Sequence, residues 1–273
     1  MGSRFVSISI VMLIAAALVA RPARAQQPAP AQRGGGQPAP APQNLQVLPK
    51  DTPQAQVVQT MQAFAGALGV QCGYCHAAAP PVAGGLGEGG GRGRGAAAAL
   101  DFASDDKAQK KIARQMMLMV RDINPKVVAA VGKTEADAAR VGCVTCHRGV
   151  AIPRPLADVL DRTAMEKGAP AALGQYKELR KQYFGAQAYD FSEGSLVAYA
   201  QRATQANKAD EAIAWLQLNL EYYPLSGSTY AALSQAQQKK SDTPAAIKSL
   251  ERAIELEPQN AQFKRQMDQL KGQ

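Results

Sequence analysis

The stretches "VQCGYCH" (Val70–His76) and "VGCVTCH" (Val141–His147) hold all four cysteines and both histidines of this 273-residue chain. Each contains the pattern Cys-x-x-Cys-His. In a helical turn, positions i, i+3 and i+4 lie on one face. Cys72, Cys75 and His76 would therefore address one patch, as would Cys143, Cys146 and His147. Two thiols and an adjoining imidazole suit one chemistry in particular: two thioether bonds to the vinyl groups of a haem, with the imidazole as an axial iron ligand. Disulfides, a thioredoxin-type redox pair or a zinc site each account for the cysteines. Only covalent haem requires a histidine directly after both pairs. The expectation is two covalently attached c-type haems.

Both histidines are then spent on the proximal side, so the sixth ligand to each iron must be another residue. A methionine thioether is the usual alternative. Val57, Met61, Phe64 and Leu68 repeat at helical spacing ahead of the first motif, and Ile112, Met116, Met119 and Ile123 repeat with the same offsets ahead of the second. The unit "helix with Met on its apolar face, then Cys-x-x-Cys-His" thus occurs twice. It nominates Met61 and Met116 as iron ligands. Met119, one turn on along the same face, is the alternative to Met116. The ordinary role of such a methionine is to fill gaps in a core. Met117 falls on another face and reads as packing, while Met165 and Met267 lie outside the repeated unit.

The elements that must position these groups are helical. One helix enters after Pro53 and ends at Leu68; a second runs from about Asp105 to Asn124, with Pro125 just after it; a short helical stretch over 133–140 leads into the second motif. Residues 77–99, including "GGLGEGGGRGRG", lack periodicity and read as a Gly-rich loop. A helical stretch over 156–183 connects onward. Then "EAIAWLQLNLEYYP" (Glu211–Pro224) and "AAIKSLERAIELEP" (Ala245–Pro258) superpose at a spacing of 34 residues. That period resembles the tetratricopeptide repeat, a helix–turn–helix unit, with first helices at 195–206 and 228–239 and a closing helix at 261–270. Two repeats fall short of the three that usually suffice for stability. The expected fold is all-α: a dihaem cytochrome c domain over 45–155, connecting helices over 156–191 and tetratricopeptide-like repeats over 192–273.

The N-terminus reads as an export signal. Arg4 precedes an apolar run from Phe5 to Ala20, and Ala23-Arg24-Ala25 fits a cleavage site. Residues 1–25 would be removed, leaving a Pro/Ala/Gln-rich linker over 26–44. An uncut anchor is the alternative, although the run is short for a membrane span. Export agrees with haem attachment outside the bacterial cytoplasm, so the expected location is the periplasm. The formal charge is +9. No Lys/Arg block of the nucleic-acid-binding kind occurs, which excludes nucleic acid as the expected partner.

"NLQVLPKDTPQAQVVQTMQAFAGALGVQCGYCH", "MMLMVRDIN" and "VGCVTCHRG" resemble the cytochrome c subunit of photosynthetic reaction centres, and more closely its shorter bacterial relatives, over residues 44–149. The resemblance implies a helix before each motif bearing the sixth ligand, which falls on Met61 and on Met116. The subunit resembled carries four haems, whereas this chain has sites for two. The implied function is single-electron transfer by a dihaem carrier between redox partner proteins, membrane-bound ones among them; the tetratricopeptide-like tail, which that family lacks, is separately expected to hold a protein or peptide segment. Two competing readings are a dihaem peroxidase with one open haem and a scaffold acting mainly through the tail. Arg148 is a candidate partner for a haem propionate, against an ordinary solvated arginine.

Overall fold

The computed structural model describes residues 41–80, 99–132 and 134–272. The export signal, most of the linker and the centre of the Gly-rich stretch lie outside these residues. The regular structure described is helical except for one two-strand ladder.

Helix α1 (Gln54–Leu68) starts where Pro53 fixes the backbone for entry, with the Gln56 and Val57 amides bonded to the Pro53 carbonyl. It stops at Gly69, whose φ of 66° lets the chain turn left-handed. The first motif follows at once. Strands β1 (Ala77–Ala78) and β2 (Leu100–Asp101) then pair antiparallel, so the Gly-rich stretch leaves and rejoins the fold at one place.

Helix α2 (Ala108–Val131) departs from the sequence expectation at both ends. It begins three residues after Asp105, because Asp105 folds back onto Lys110 and Arg114 at 3.2 and 2.9 Å. It also runs through Pro125 for a further turn and a half. Proline removes one amide donor and crowds the preceding turn, but the apolar residues Val127, Val128 and Val131 continue the helix, and the stop comes at Gly132, with φ 62°. The helical stretch expected over 133–140 is instead a turn over 134–138, closed by the Thr134 hydroxyl on the Asp137 carboxylate at 2.6 Å. Helix α3 (Cys143–His147) is the second motif itself.

The connecting stretch is two helices, α4 (Leu156–Lys167) and α5 (Ala169–Tyr183), broken at Gly168 with φ 87°. They fold as a hairpin and share one core with the helices that follow: Leu160 and Tyr176 pack with Leu196, Tyr199, Trp215 and Leu216. Helices α6 (Glu193–Gln205) and α7 (Ala209–Tyr222) form the next hairpin, and α8 (Gly227–Lys239) and α9 (Thr243–Leu256) the third. Helix α10 (Ala261–Lys271) closes the stack through Phe263, Met267 and Leu270. The repeat is visible in the backbone. Helix starts at 193, 227 and 261 are 34 residues apart, as are the left-handed turn residues Asn207 and Ser241. The α4–α5 hairpin is out of that period, which hid it from the sequence comparison.

The two parts of the chain are built differently. The repeat part has a dense apolar core. Across 45–155 only Thr52 and Ala67 are buried among the described residues, and α2 buries no side chain at all.

Candidate haem-binding site

The first motif folds as a 3₁₀ turn over Cys72–Tyr74. The Cys75 and His76 amides both bond to the Cys72 carbonyl, at 3.2 and 3.0 Å. This is the i, i+3, i+4 geometry that places two thiols and the imidazole on one side. The His76 ring stands edge-on to Phe102, with centroids 4.9 Å apart. Its Nδ1 is buried without a hydrogen-bond partner. Burial, helped by the nearby Lys110 cation, pushes its pKa down, so the ring is held neutral. A neutral imidazole is the form that binds a metal.

The second motif makes the same arrangement on α3, where the Gly142 amide is capped by the Thr145 hydroxyl at 3.0 Å. His147 Nδ1 lies 2.9 Å from the Val150 carbonyl oxygen. A carbonyl can only accept, so Nδ1 carries the proton and Nε2 keeps its lone pair free. Fixing an imidazole this way is how proteins orient an axial histidine.

The cysteine chemistry separates the competing readings. All four thiols are free, so neither pair forms a disulfide. Burial pushes the Cys75 and Cys143 thiols above their ordinary range. Among the described residues, no three His, Cys, Asp or Glu side chains converge as a metal cluster requires. Thioether attachment needs no such convergence, because the sulfurs bind the edge of the ring and only the histidine meets the iron.

The methionines lie on the two helices, α1 and α2, that precede these turns in the chain. Met61 is half-buried in the middle of α1, and the C-terminal end of α1 packs on α3. Met116 and Met119 share the open stripe of α2 with Ile112, at 40, 47 and 55 % exposure. Such an apolar stripe normally packs against something, and this one is left largely open. The donor set and the open apolar face together fit a large flat apolar group held by Cys-x-x-Cys-His. Met117 is more buried than either neighbour, as a packing residue should be, and Met165 is 87 % exposed in the repeat part.

Three features were not visible in the sequence. The Gly149 amide bonds to the Ala67 carbonyl at 2.9 Å, and a Cβ on Gly69 would lie only 2.2 Å from the Gly149 oxygen. The turn after the second motif is therefore seated directly on the end of α1. Asn124 bonds both backbone groups of Val141, two residues before Cys143. Arg148, considered above as a propionate partner, donates to the Gln187 carbonyl at 2.7 Å and ties the second motif to the segment after α5.

Residues 94–213, somewhat under half of the chain, match the family model described as photosynthetic reaction centre cytochrome C subunit. The chain resembles that family. The match takes in Met116, Met119 and the whole second motif, and it runs on through α4–α6 into α7. It begins after the first motif, so the assignment of Cys72, Cys75, His76 and Met61 stands on their own pattern and on the internal repeat. A curated relative, cytochrome c-554 of Chloroflexus aurantiacus, is 33 % identical over 105 residues, which is 38 % of this chain. The chain spans about a fifth of that relative's length. The NMR structure of the first TPR domain of human RPAP3 aligns with 43 % of this chain and 87 % of its own, at 16 % identity and a TM-score of 0.31, a likeness too low to carry an argument. The tetratricopeptide-like reading rests instead on the 34-residue period and the stacked hairpins. The reaction-centre cytochrome family implies covalently bound haem of the c type.

Proposed function

We propose that this chain is a periplasmic dihaem cytochrome c that carries single electrons. The observation that carries the proposal is the duplicated turn: two separate Cys-x-x-Cys-His segments, each folded as a single helical turn, the backbone form in which positions i, i+3 and i+4 fall on one side. A c-type haem supplies a one-electron iron couple when bound. Cys72 and Cys75 would hold one such group and Cys143 and Cys146 the other, with His76 and His147 as proximal ligands. Met61 and Met116 are the proposed distal ligands, with Met119 as the alternative to Met116. Filling the sixth position with thioether raises the potential and leaves no open position for a substrate, which favours a carrier over a peroxidase. The apolar stripe of α2 would exclude water from one face of a haem.

The repeat part would dock the redox partner, since stacked helical hairpins present a concave face to protein segments. Export and periplasmic location are supported by the N-terminal pattern; no described helix is long and apolar enough to cross a membrane.

Pyridine haemochrome absorbance per mole of protein, after expression with the c-type maturation machinery, tests the proposal. Two covalent haems per chain are expected, falling to one in Cys143→Ala/Cys146→Ala and to one in Cys72→Ala/Cys75→Ala. No covalent haem would end the cytochrome reading. Two haems with a high-spin ferric signal would point to an open iron and revive the peroxidase.

A further inference from the structure

We propose that Asn124 is the positioning residue of the second haem site, resting on the dihaem reading above. It sits on α2, two turns beyond Met116, just before the proline inside the helix. Its side chain makes three hydrogen bonds. The amide nitrogen donates to the Val120 carbonyl at 3.0 Å and to the Val141 carbonyl at 3.0 Å. The amide oxygen accepts from the Val141 amide at 2.8 Å. Bonding both backbone groups of one residue fixes its height along the helix and its rotation about the chain, as a neighbouring strand would. The third bond, back to Val120, holds the Asn124 side chain itself in one rotamer.

The consequence lies two residues on, at Cys143. The second motif is pinned at its entrance by Asn124 from α2 and at its exit by the Gly149 amide on Ala67 of α1. Among the described residues, no other side chain of α2 hydrogen-bonds the stretch 134–150. Asn124 thus sets how the imidazole of His147 stands relative to the methionine stripe of α2. An axial pair supplied by two separate elements needs such a link, because a site displaced by an ångström no longer binds. The first motif needs none: only three residues separate it from α1, whereas eleven separate Cys143 from the end of α2.

The test compares wild type with Asn124→Ala and Asn124→Asp as holoproteins. In Asn124→Asp the oxygen facing the Val141 amide is kept, but a carboxylate oxygen replaces the donor and faces two carbonyls. Both variants are expected to keep two covalent haems, to lose about half of the ferric thioether-to-iron absorption band, and to lower one of the two reduction potentials while leaving the other in place. A role limited to stability would leave band and potentials unchanged. In reduced wild type, the Val141 amide should exchange with solvent slowly. Full band intensity and unshifted potentials in Asn124→Ala would overturn the proposal. If that variant does not accumulate, free exchange of Val141 in wild type overturns it and protection supports it. Wild type with no haem at all removes the cytochrome reading, and this proposal with it; wild type with two haems and an insensitive Asn124 removes this proposal alone.

Discussion

Gly69 and Gly132 offer a matched pair of substitutions. Both close a helix, and their backbones are nearly the same: φ 66° and ψ 33° at Gly69, φ 62° and ψ 28° at Gly132. Their surroundings differ. A Cβ at Gly132 meets nothing within 4 Å, while a Cβ at Gly69 would be 2.2 Å from the Gly149 oxygen and 3.0 Å from its carbonyl carbon. Alanine at Gly132 should cost only the left-handed penalty, about 1–2 kcal/mol. Alanine at Gly69 carries that penalty and must also push backbone away from backbone. Forcing a methyl group into a filled space costs typically 1–3 kcal/mol, and the neighbouring bond from Gly149 to Ala67, worth about 1 kcal/mol, is stretched as well. The expected loss is about 3–6 kcal/mol for Gly69→Ala against about 1–2 kcal/mol for Gly132→Ala. Denaturant unfolding of the holoprotein, followed by haem absorption and far-ultraviolet circular dichroism, reads the difference. Equal losses within about 0.5 kcal/mol would show that the seat of the second motif on α1 does not exist in solution.

The Asp105 carboxylate is held well below the usual carboxylate range, chiefly by the Arg114 guanidinium, with Asn44 and Lys110 assisting. A lowered folded-state value means its stabilisation is complete above the ordinary carboxylate range and is lost as acid protonates it. Asp105→Asn should therefore be less stable than wild type at neutral pH, and the gap should narrow as pH falls below about 5; a constant gap in urea melts across that range would contradict the ion cluster. Asn219 is fully buried and donates to the Glu193 carbonyl at 3.0 Å and to the Thr229 hydroxyl at 2.8 Å, joining α6, α7 and α8. Asn219→Ala should cost about 2–4 kcal/mol in denaturant unfolding, by removing two hydrogen bonds between helices and leaving a cavity; a loss below about 1 kcal/mol would show that the network is dispensable. A chain cut at 156 should leave a repeat fragment, 156–273, that unfolds cooperatively without haem, whereas 45–155 without haem should show no cooperative transition. A cooperative apo-transition in 45–155 would contradict the near-absence of buried side chains there.

The sequence carried local chemistry far better than the contacts between distant segments. Cys-x-x-Cys-His is local, because its geometry is set by one turn, and both motifs fold as expected. The entry of α1 after Pro53 was legible for the same reason. Pro125 misled because its cost to a helix is finite and the helix runs through it; Gly132 marked the true end. The α4–α5 hairpin was read as a connector since it breaks the 34-residue period, yet its Leu160 and Tyr176 lie in the shared core with Trp215. No pattern in the sequence could pair Asn124 with Val141 or Gly69 with Gly149, for these contacts depend on where two separate segments meet.

The additional α4–α5 hairpin changes how the two halves of the chain relate. Two tetratricopeptide-like repeats alone fall short of the three that usually suffice for stability. With α4–α5 completing the stack, the repeat part has its own buried core, and support can run from it to the cytochrome part. Arg148, left-handed at φ 49° directly after His147, reaches across to the Gln187 carbonyl just beyond α5. The second motif is thus fixed at three points: Val141 on α2, Gly149 on α1, and Arg148 on the segment leading into α6. A firmly folded stack would then hold one of the two proposed electron sites at its own edge. A partner docked on the repeat part, as proposed, would be placed by the same stack that carries the Arg148 contact.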